Sequence, residues 1–510
     1  MHGFARLVLA VLVPPRPGTV QDAVPALHQA PVGLTLEEAV SIALERNLDL
    51  ELEELATAVA TYDARGSWGS FDPLLTLKGS ALQSEFQGTS SLSGGDVVEN
   101  DTYALDSSLS VPFTTGGRFD LSYSHSNDET TNLFAAFDVS TTDVLTLALT
   151  QPLLRGAWRR YATTAQRGAE IALSRQKEHE REIRQRIVLD VYEAYWDLSS
   201  AREVLGVREL ALDLGRQELE QNRRRLEVGT GTEVDVLQSE TNVAQQEEAR
   251  IQAEFALRQA EDRLRRILLQ KPRAGEEALL WAWDTPIEPS TPLPEIGEVD
   301  TDWRRSLDLA VEHRPVLWQR RYDIDAAEVD LQGARSAKLP QLDFALTSSS
   351  SGFDEDPRQA FDTAVGWDFP NNSAALTFSL PLRNRSADYA ERAARAAVRQ
   401  AKLAYEKAEL DVLAEVRSAV RDVRFAAESV LAAQKSAELA RRQLSAEQAR
   451  QEIGLSTTFQ VLEFQRDLAE ALSNEAAARA SYAKALAKRE HTEGRLDARG
   501  TEAGDAVHAG

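Results

Sequence analysis

The 510-residue chain contains no cysteine and only one methionine. Disulfides, thiolate metal sites and cysteine nucleophiles are thereby excluded. So is the lipid-modified N-terminal cysteine that some bacterial envelope proteins carry. No stretch reaches about 18 consecutive apolar residues, so no membrane-spanning helix is expected. The seven histidines are scattered and form no His-Glu-x-x-His or other metal-ligand spacing. Gly229-x-Gly231 lacks a third glycine and follows no strand, so it is no dinucleotide loop. Acid pairs such as Glu37-Glu38 and Glu53-Glu54 lie on helical faces and read as solvated surface. No catalytic residue, cofactor or metal is expected, and the chain does not read as an enzyme.

Basic charge is also in deficit. The formal net charge is −24. Phosphate binding needs clustered Lys and Arg, so nucleic acid is a poor partner. The acids are interspersed along helical patterns, which suits a solvated face or a negative lumen that favours cations.

What the chain does have is a duplication. Four landmarks recur in order. Ala43–Leu50 matches Ala310–Leu317, and Phe71–Leu75 matches Lys338–Leu342, both 267 residues apart. Leu149–Leu153 matches Phe378–Leu382 at an offset of 229, and Glu227-Val228-Gly229 matches Glu452-Ile453-Gly454 at 225. Each copy reads as helix, β-region, very long helix, turn, helix. The first copy spans 34–270, with first helix 34–66 and β-region 74–152. The second spans 303–495, with first helix 303–336 and β-region 341–381. A proline-rich linker, 271–302, separates them and predicts little regular structure. Residues 14–33 and a tail from 494–496 to 510 read as unstructured. Residues 1–30 read as a secretory signal and linker: His2 and Arg6 precede the apolar run Leu7–Val13, with cleavage options near Ala26 or Ala30. An ordinary disordered terminus is the alternative.

The long helices dominate the chain. No proline interrupts the 76 residues between Pro152 and Gly229, or the 72 between Pro381 and Gly454. At ~1.5 Å per residue each is roughly 110 Å long, a rod that must pack laterally against similar rods. Val191, Leu198, Leu205, Leu212, Leu219 and Leu226 repeat every seven residues. In the second copy, Val412-Ala419-Ala426-Ala433-Ala440 and Val416-Val423-Val430-Ala437-Leu444 give coiled-coil seams. Read alone, these helices also fit a plain coiled coil.

The β-regions alternate with period two: Phe119, Leu121, Tyr123; Leu145, Leu147, Leu149; Leu342, Phe344, Leu346; Leu376, Phe378, Leu380. One apolar and one polar face fits strands with lipid outside and water inside, or a soluble sandwich. Trp68, Trp158 and Trp367 lie near strand ends, as girdle residues or as core. The first β-region has room for four strands, near 74–86, 103–111, 118–127 and 143–151, with Thr114-Thr115-Gly116-Gly117 as a tight turn. Two long barrel strands plus an extra hairpin or elaborated loop are expected there; six barrel strands per chain is the rival.

Over nearly all of the mature length the chain resembles the TolC-type outer-membrane efflux family. The residues carrying the likeness are Leu34–Val40 with Ala43-Leu44 and Asn47, His313-Arg314-Pro315, the strand starts at Pro73 and Pro340, and Gln151–Leu154. Gly229–Gln238, echoed by Gly454–Glu463, is the most specific stretch. The resemblance implies a mainly α fold with an inserted β portion. Three chains would build a transmembrane β-barrel in the outer membrane and a long α-helical barrel in the periplasm. A periplasmic adaptor and an inner-membrane transporter, proton-driven or ABC type, would dock on the helical end. The duct itself does no chemistry. Its use could be efflux of small molecules or ions, or type I protein secretion; a structural or adaptor coiled-coil protein is the competing class. Two helical hairpins, each with a strand region ahead of it, favour the duct over an adaptor.

The resemblance also assigns the hairpin turns to the periplasmic entrance and adaptor contact. The candidates are Gly229, Gly231, Thr232, Asp235 and Gln238 in the first copy. In the second they are Gly454, Thr457, Gln460 and Glu463. Glycine suits a helix C-cap, and the threonines suit the next N-cap. Family members place two acids in the second copy, where this chain has Gln460 and one acid, Glu463.

Overall fold

A computed structural model describes residues 32–87, 97–132, 135–270, 285–297 and 300–496. The signal reading and the tail beyond 496 lie outside the described residues. In chain order the elements are β1 (Val32–Leu34), α1 (Leu36–Arg46), α2 (Leu48–Gly66), β2 (Leu74–Gln87), β3 (Val97–Pro112), β4 (Arg118–Thr130) and β5 (Val139–Pro152). Then come α3 (Arg159–Ala162), α4 (Thr164–Glu227), α5 (Glu233–Leu268), β6 (Ile287–Pro289), α6 (Trp303–His313) and α7 (Pro315–Lys338). The chain continues with β7 (Gln341–Asp354), α8 (Pro357–Val365), β8 (Pro370–Ser379), α9 (Arg385–Glu452) and α10 (Thr458–Thr492).

The duplication is visible in this order: α1-α2 answers α6-α7, α4 answers α9, and α5 answers α10. Each expected first helix is in fact two. Asn47 leaves helical geometry with ψ 124° and its side chain accepts from the Asp49 and Leu50 amides, capping α2. In the second copy Arg314 takes ψ 120° because Pro315 disfavours helical geometry in the residue before it. α4 has 64 residues and α9 has 68, about 100 Å each at ~1.5 Å per residue. α4 packs along α5, and α9 along α10. The seam Val416, Val423, Val430, Ala437, Leu444 is buried throughout.

The β-regions form one antiparallel six-stranded sheet in the order β2-β3-β4-β5-β7-β8. This corrects the expectation of two barrel strands plus a hairpin in the first copy. β2 to β5 run 13 to 16 residues each and pair over nearly their whole lengths. Gly116, at φ 85°, makes the β3–β4 turn, closed by Phe113 N–H to the Gly117 carbonyl at 2.7 Å. The second β-region is not all strand, since α8 interrupts it: Asp356 caps its first turn and Pro357 opens it.

The linker and the residues ahead of α1 also depart from expectation. β1 and β6 pair in parallel, Val32 with Ile287 and Leu34 with Pro289. Leu293 and Leu496 join the principal core with Leu34, Val191, Tyr195, Leu198 and Leu264. Linker and C-terminal segment thus form a belt around the middle of the helices. Tyr195 holds it: its buried hydroxyl donates to the Leu34 carbonyl at 2.8 Å and accepts from the Thr291 amide at 2.9 Å. Tyr195→Phe strands the Thr291 amide, while the Leu34 carbonyl keeps the Ser290 amide at 3.0 Å. It is expected to cost about 1–3 kcal/mol in denaturant unfolding and to speed amide exchange at Thr291. Wild-type stability in that variant would show that water replaces the hydroxyl.

Candidate functional site

Two places in the fold can meet other molecules: the turns at the far end of the helical hairpins, and the two faces of the sheet. At the first turn Gly229 adopts φ 78°, which L side chains rarely take. The Thr230 and Gly231 amides both donate to the Arg225 carbonyl, at 2.8 and 2.9 Å, closing α4. Thr232 then starts α5 with a capping box. Its hydroxyl accepts from the Asp235 amide at 3.2 Å, and the Asp235 carboxylate accepts from the Thr232 amide at 3.1 Å and hydroxyl at 2.6 Å. The Thr232 hydroxyl, the Thr232 amide and Thr458 hold the Asp235 carboxyl below the usual Asp range, against partial burial. With a depressed pKa, its stabilising effect is full above the ordinary Asp range and is lost as pH falls through the folded pKa.

The second turn repeats the geometry. Gly454 adopts φ 75°, Leu455 N–H donates to the Arg450 carbonyl at 2.8 Å, and Thr457 caps α10 with Gln460 in the place of Asp235. Glu463 pairs with Arg466. The nine sequence candidates therefore fall at one end of the molecule. Asp235 and Gln460 are engaged in caps, and Glu463 has a cation beside it. Gln238 lies on the first turns of α5, partly exposed.

Sequence reasoning missed a buried polar layer just above the turns. Glu218 and Asn222 of α4 are buried; Asn222 donates to Glu218 at 3.2 Å and to Ser239 of α5 at 2.8 Å. Gln451 of α9 reaches across to Glu218 at 2.8 Å, tying the two hairpins together. Buried Glu447 accepts from Ser456. The signal was available: Gly215, Glu218 and Asn222 on α4, and Ser239, Asn242 and Gln246 on α5, stand at seam spacing and are buried. The matching seam between α9 and α10 is more apolar, with Leu444, Val461 and Leu468, though Glu447 and Gln465 are buried along it.

The sheet faces separate cleanly, because directly paired residues project to the same side. One face carries Leu75 and Leu77, Leu109 and Val111, Phe119 and Leu121, Leu145 to Leu149 at alternate positions, Phe344 and Leu346, and Leu376 and Phe378. The other carries Lys78, Asp106, Ser110, Asp120, Ser124, Asp128 and Thr146. Its side chains bond to one another: Ser110 to Asp120 at 2.7 Å, Ser124 to Asp106 at 2.6 Å, Thr102 to Asp128 at 2.6 Å. An apolar face backed by a hydrogen-bonded polar one suits lipid on the first side and water on the second.

Comparison with known proteins agrees. The outer membrane efflux protein family matches residues 118–268 and 306–488. The outer membrane efflux protein BepC of Brucella suis biovar 1 is 26% identical over 375 residues, 73% of this chain and 74% of that one. The fold is shared with VceC of Vibrio cholerae (TM-score 0.64, 16% identity, 90% of this chain and 96% of that one). It is shared too with the outer membrane channel CmeC of Campylobacter jejuni (TM-score 0.63, 15% identity, 90% and 85%). The family is one of channels, not enzymes, and its members sit in the outer membrane with a periplasmic extension. The match runs from β4 through α5 in the first copy and from α6 into α10 in the second, more than half of the chain: the chain belongs to the outer membrane efflux protein family.

Proposed function

We propose that this outer-membrane efflux channel is a homotrimeric, passive exit duct whose wall in the membrane is an eighteen-stranded barrel. Family members are components of efflux pumps and partner with adaptors and inner-membrane transporters. The observation that carries the oligomer is the open sheet. β2 and β8 are its edges and do not pair with each other. Unpaired strand edges are not tolerated in hydrocarbon, and about eight strands is the smallest closed membrane barrel, so one chain cannot close. Further copies must supply β8 to β2 and β2 to β8. With the family's trimer, six strands per chain make eighteen. At ~4.8 Å spacing and ~40° tilt the barrel backbone is about 36 Å across, wide enough for an aqueous lumen.

The experiment is single-channel conductance of the detergent-extracted protein in a planar bilayer, with oligomeric mass measured on the same sample. Discrete steps from a trimer are expected. A non-conducting protein that needs no detergent, or a conducting dimer, would overturn the proposal.

At the entrance the reading assigns the turns to the periplasmic tip, where threefold symmetry turns each acid into a ring. Glu463→Ala and Asp235→Ala are each expected to lower cation preference, read as a reversal-potential shift in asymmetric salt. Asp235→Ala also removes the return half of the capping box, the bonds from the Thr232 amide and hydroxyl, and leaves the Thr232 cap itself in place. Reversal potentials unchanged in both would refute the acidic ring.

A further inference from the structure

The apolar face of the sheet is not apolar to its end. Beyond Leu145 it carries Asp143 and Thr141, with His125 and Ser350 beside them on the neighbouring strands. Asp143, Thr141 and Ser350 are nevertheless almost fully buried. One Asp143 oxygen receives the Tyr123 hydroxyl and His125 Nδ1, each at 2.7 Å. What covers them is α8. Its Ala360 and Ala364 are fully buried, and a Cβ on Gly352, which pairs with Asp143, would lie 1.8 Å from the Ala360 carbonyl oxygen. Glycine at 352 is therefore what lets the helix lie down on the sheet.

The depth of this cluster matters. Asp143 stands six residues along β5 from Leu149, which marks the lower part of the apolar belt. At ~3.3 Å per residue and ~40° tilt that is about 15 Å, inside a hydrocarbon band about 25 Å tall. Without a roof, a carboxylate and an imidazole would face acyl chains.

The helix is built for the boundary. Phe361 packs edge-on against Tyr123, with ring centroids 5.9 Å apart at 83°. Tyr123 pairs with Leu145, so this flank of α8 is turned toward the belt. Phe361 and Val365 share the flank and stay 43% and 48% exposed. Arg358 and Asp362, exposed and four apart, lie on the adjoining flank and point away from the sheet. We infer that α8 is an interfacial amphipathic helix on the outside of the barrel. It roofs the Asp143 cluster and presents Phe361 and Val365 to the acyl chains of the outer leaflet, with Arg358 and Asp362 among the headgroups. The inference rests on the barrel reading above.

The cysteine-free chain makes the test clean. Single nitroxide labels go on Phe361→Cys, Val365→Cys, Asp362→Cys, Leu147→Cys in the belt and Ser122→Cys on the polar face of the full-length protein in liposomes. Collision with oxygen is compared with collision with a nickel chelate. Labels at 361 and 365 are expected to show the oxygen-dominated ratio found at 147, and the label at 362 a ratio shifted toward the chelate. Residue 365 repeats the readout without the Tyr123 contact. If 361 and 365 match the aqueous value at 122 while 147 reads lipid, α8 is outside the membrane and the inference falls alone. If 147 itself reads water, the barrel reading falls and takes the inference with it.

Discussion

Leu147→Arg is expected to abolish assembly in the membrane, whereas Thr146→Arg, one residue earlier, is expected to leave trimers intact and change only what they conduct. Leu147 is paired with Leu121 on one side and Ser348 on the other, in the middle of the apolar belt. An arginine on the lipid face near the bilayer midplane costs about 2–4 kcal/mol. Threefold symmetry repeats the cost, so a trimer loses about 6–12 kcal/mol, as large as the whole stability of many domains. Thr146 is paired with Ser122 and Ser349 and projects into the polar face. There an arginine stays hydrated, and three of them add positive charge to the lumen and shift selectivity toward anions. Trimer recovery from membranes reads the first effect and reversal potential the second. Normal trimers with altered selectivity from Leu147→Arg would mean that the two faces have been assigned the wrong way round.

The same alternation explains how much of the fold was legible from sequence. The duplication, the paired long helices and the glycine turns followed from spacing, because each rests on a local rule: heptad seams, absent prolines, a residue able to take positive φ. The four strands of the first β-region could be placed, but not that all of them join one sheet. β3 opens on Val97-Val98-Glu99-Asn100-Asp101, and β4 closes on Ser126-Asn127-Asp128-Glu129, polar runs that alternate only where they meet lipid. A lumen-facing strand needs no apolar partner, so its pattern fades where the barrel rises out of the belt. α8 was hidden in a region otherwise made of strands, although Asp356-Pro357 is an N-cap followed by a proline at the first helical position. β1 and β6 were hidden because three residues carry no period at all. At the turns the chain showed which residues would stand there but not their engagement. That Asp235 spends its carboxylate on the Thr232 cap is a consequence of the box itself, Thr-x-x-Asp, and was readable as such.

The middle belt supplies the other large effect. Glu261 and Arg265 of α5 are 1% and 3% exposed and form an ion pair at 3.4 Å. Neither is closed on the other alone. Glu261 also accepts from Arg258 at 3.1 Å and from the Ile287 amide of β6 at 3.4 Å, while Arg265 donates to the Thr285 carbonyl at 2.6 Å and to Asp262 at 3.0 Å. The pair is therefore the clasp that holds the linker strand against the end of α5. Glu261→Ala removes the buried counter-charge and leaves the guanidinium only the exposed Asp262 at 3.0 Å, so the cost is expected to approach that of breaking a buried pair, about 3–5 kcal/mol. Replacing both partners with leucine removes the charge along with its partner. Glu261→Leu with Arg265→Leu should therefore cost less than Glu261→Leu alone, retaining only the loss of the hydrogen bonds to the Ile287 amide and the Thr285 carbonyl, about 0.5–1.5 kcal/mol each. Denaturant unfolding of the three variants gives the comparison, and limited proteolysis between Leu268 and Ile287 reports whether the strand has come loose. A double variant as unstable as the single one would mean that the backbone clasp, not the buried charge, sets the cost. A single variant within about 1 kcal/mol of wild type would mean that water reaches Arg265 once the carboxylate is gone, and that the belt is looser than its packing implies.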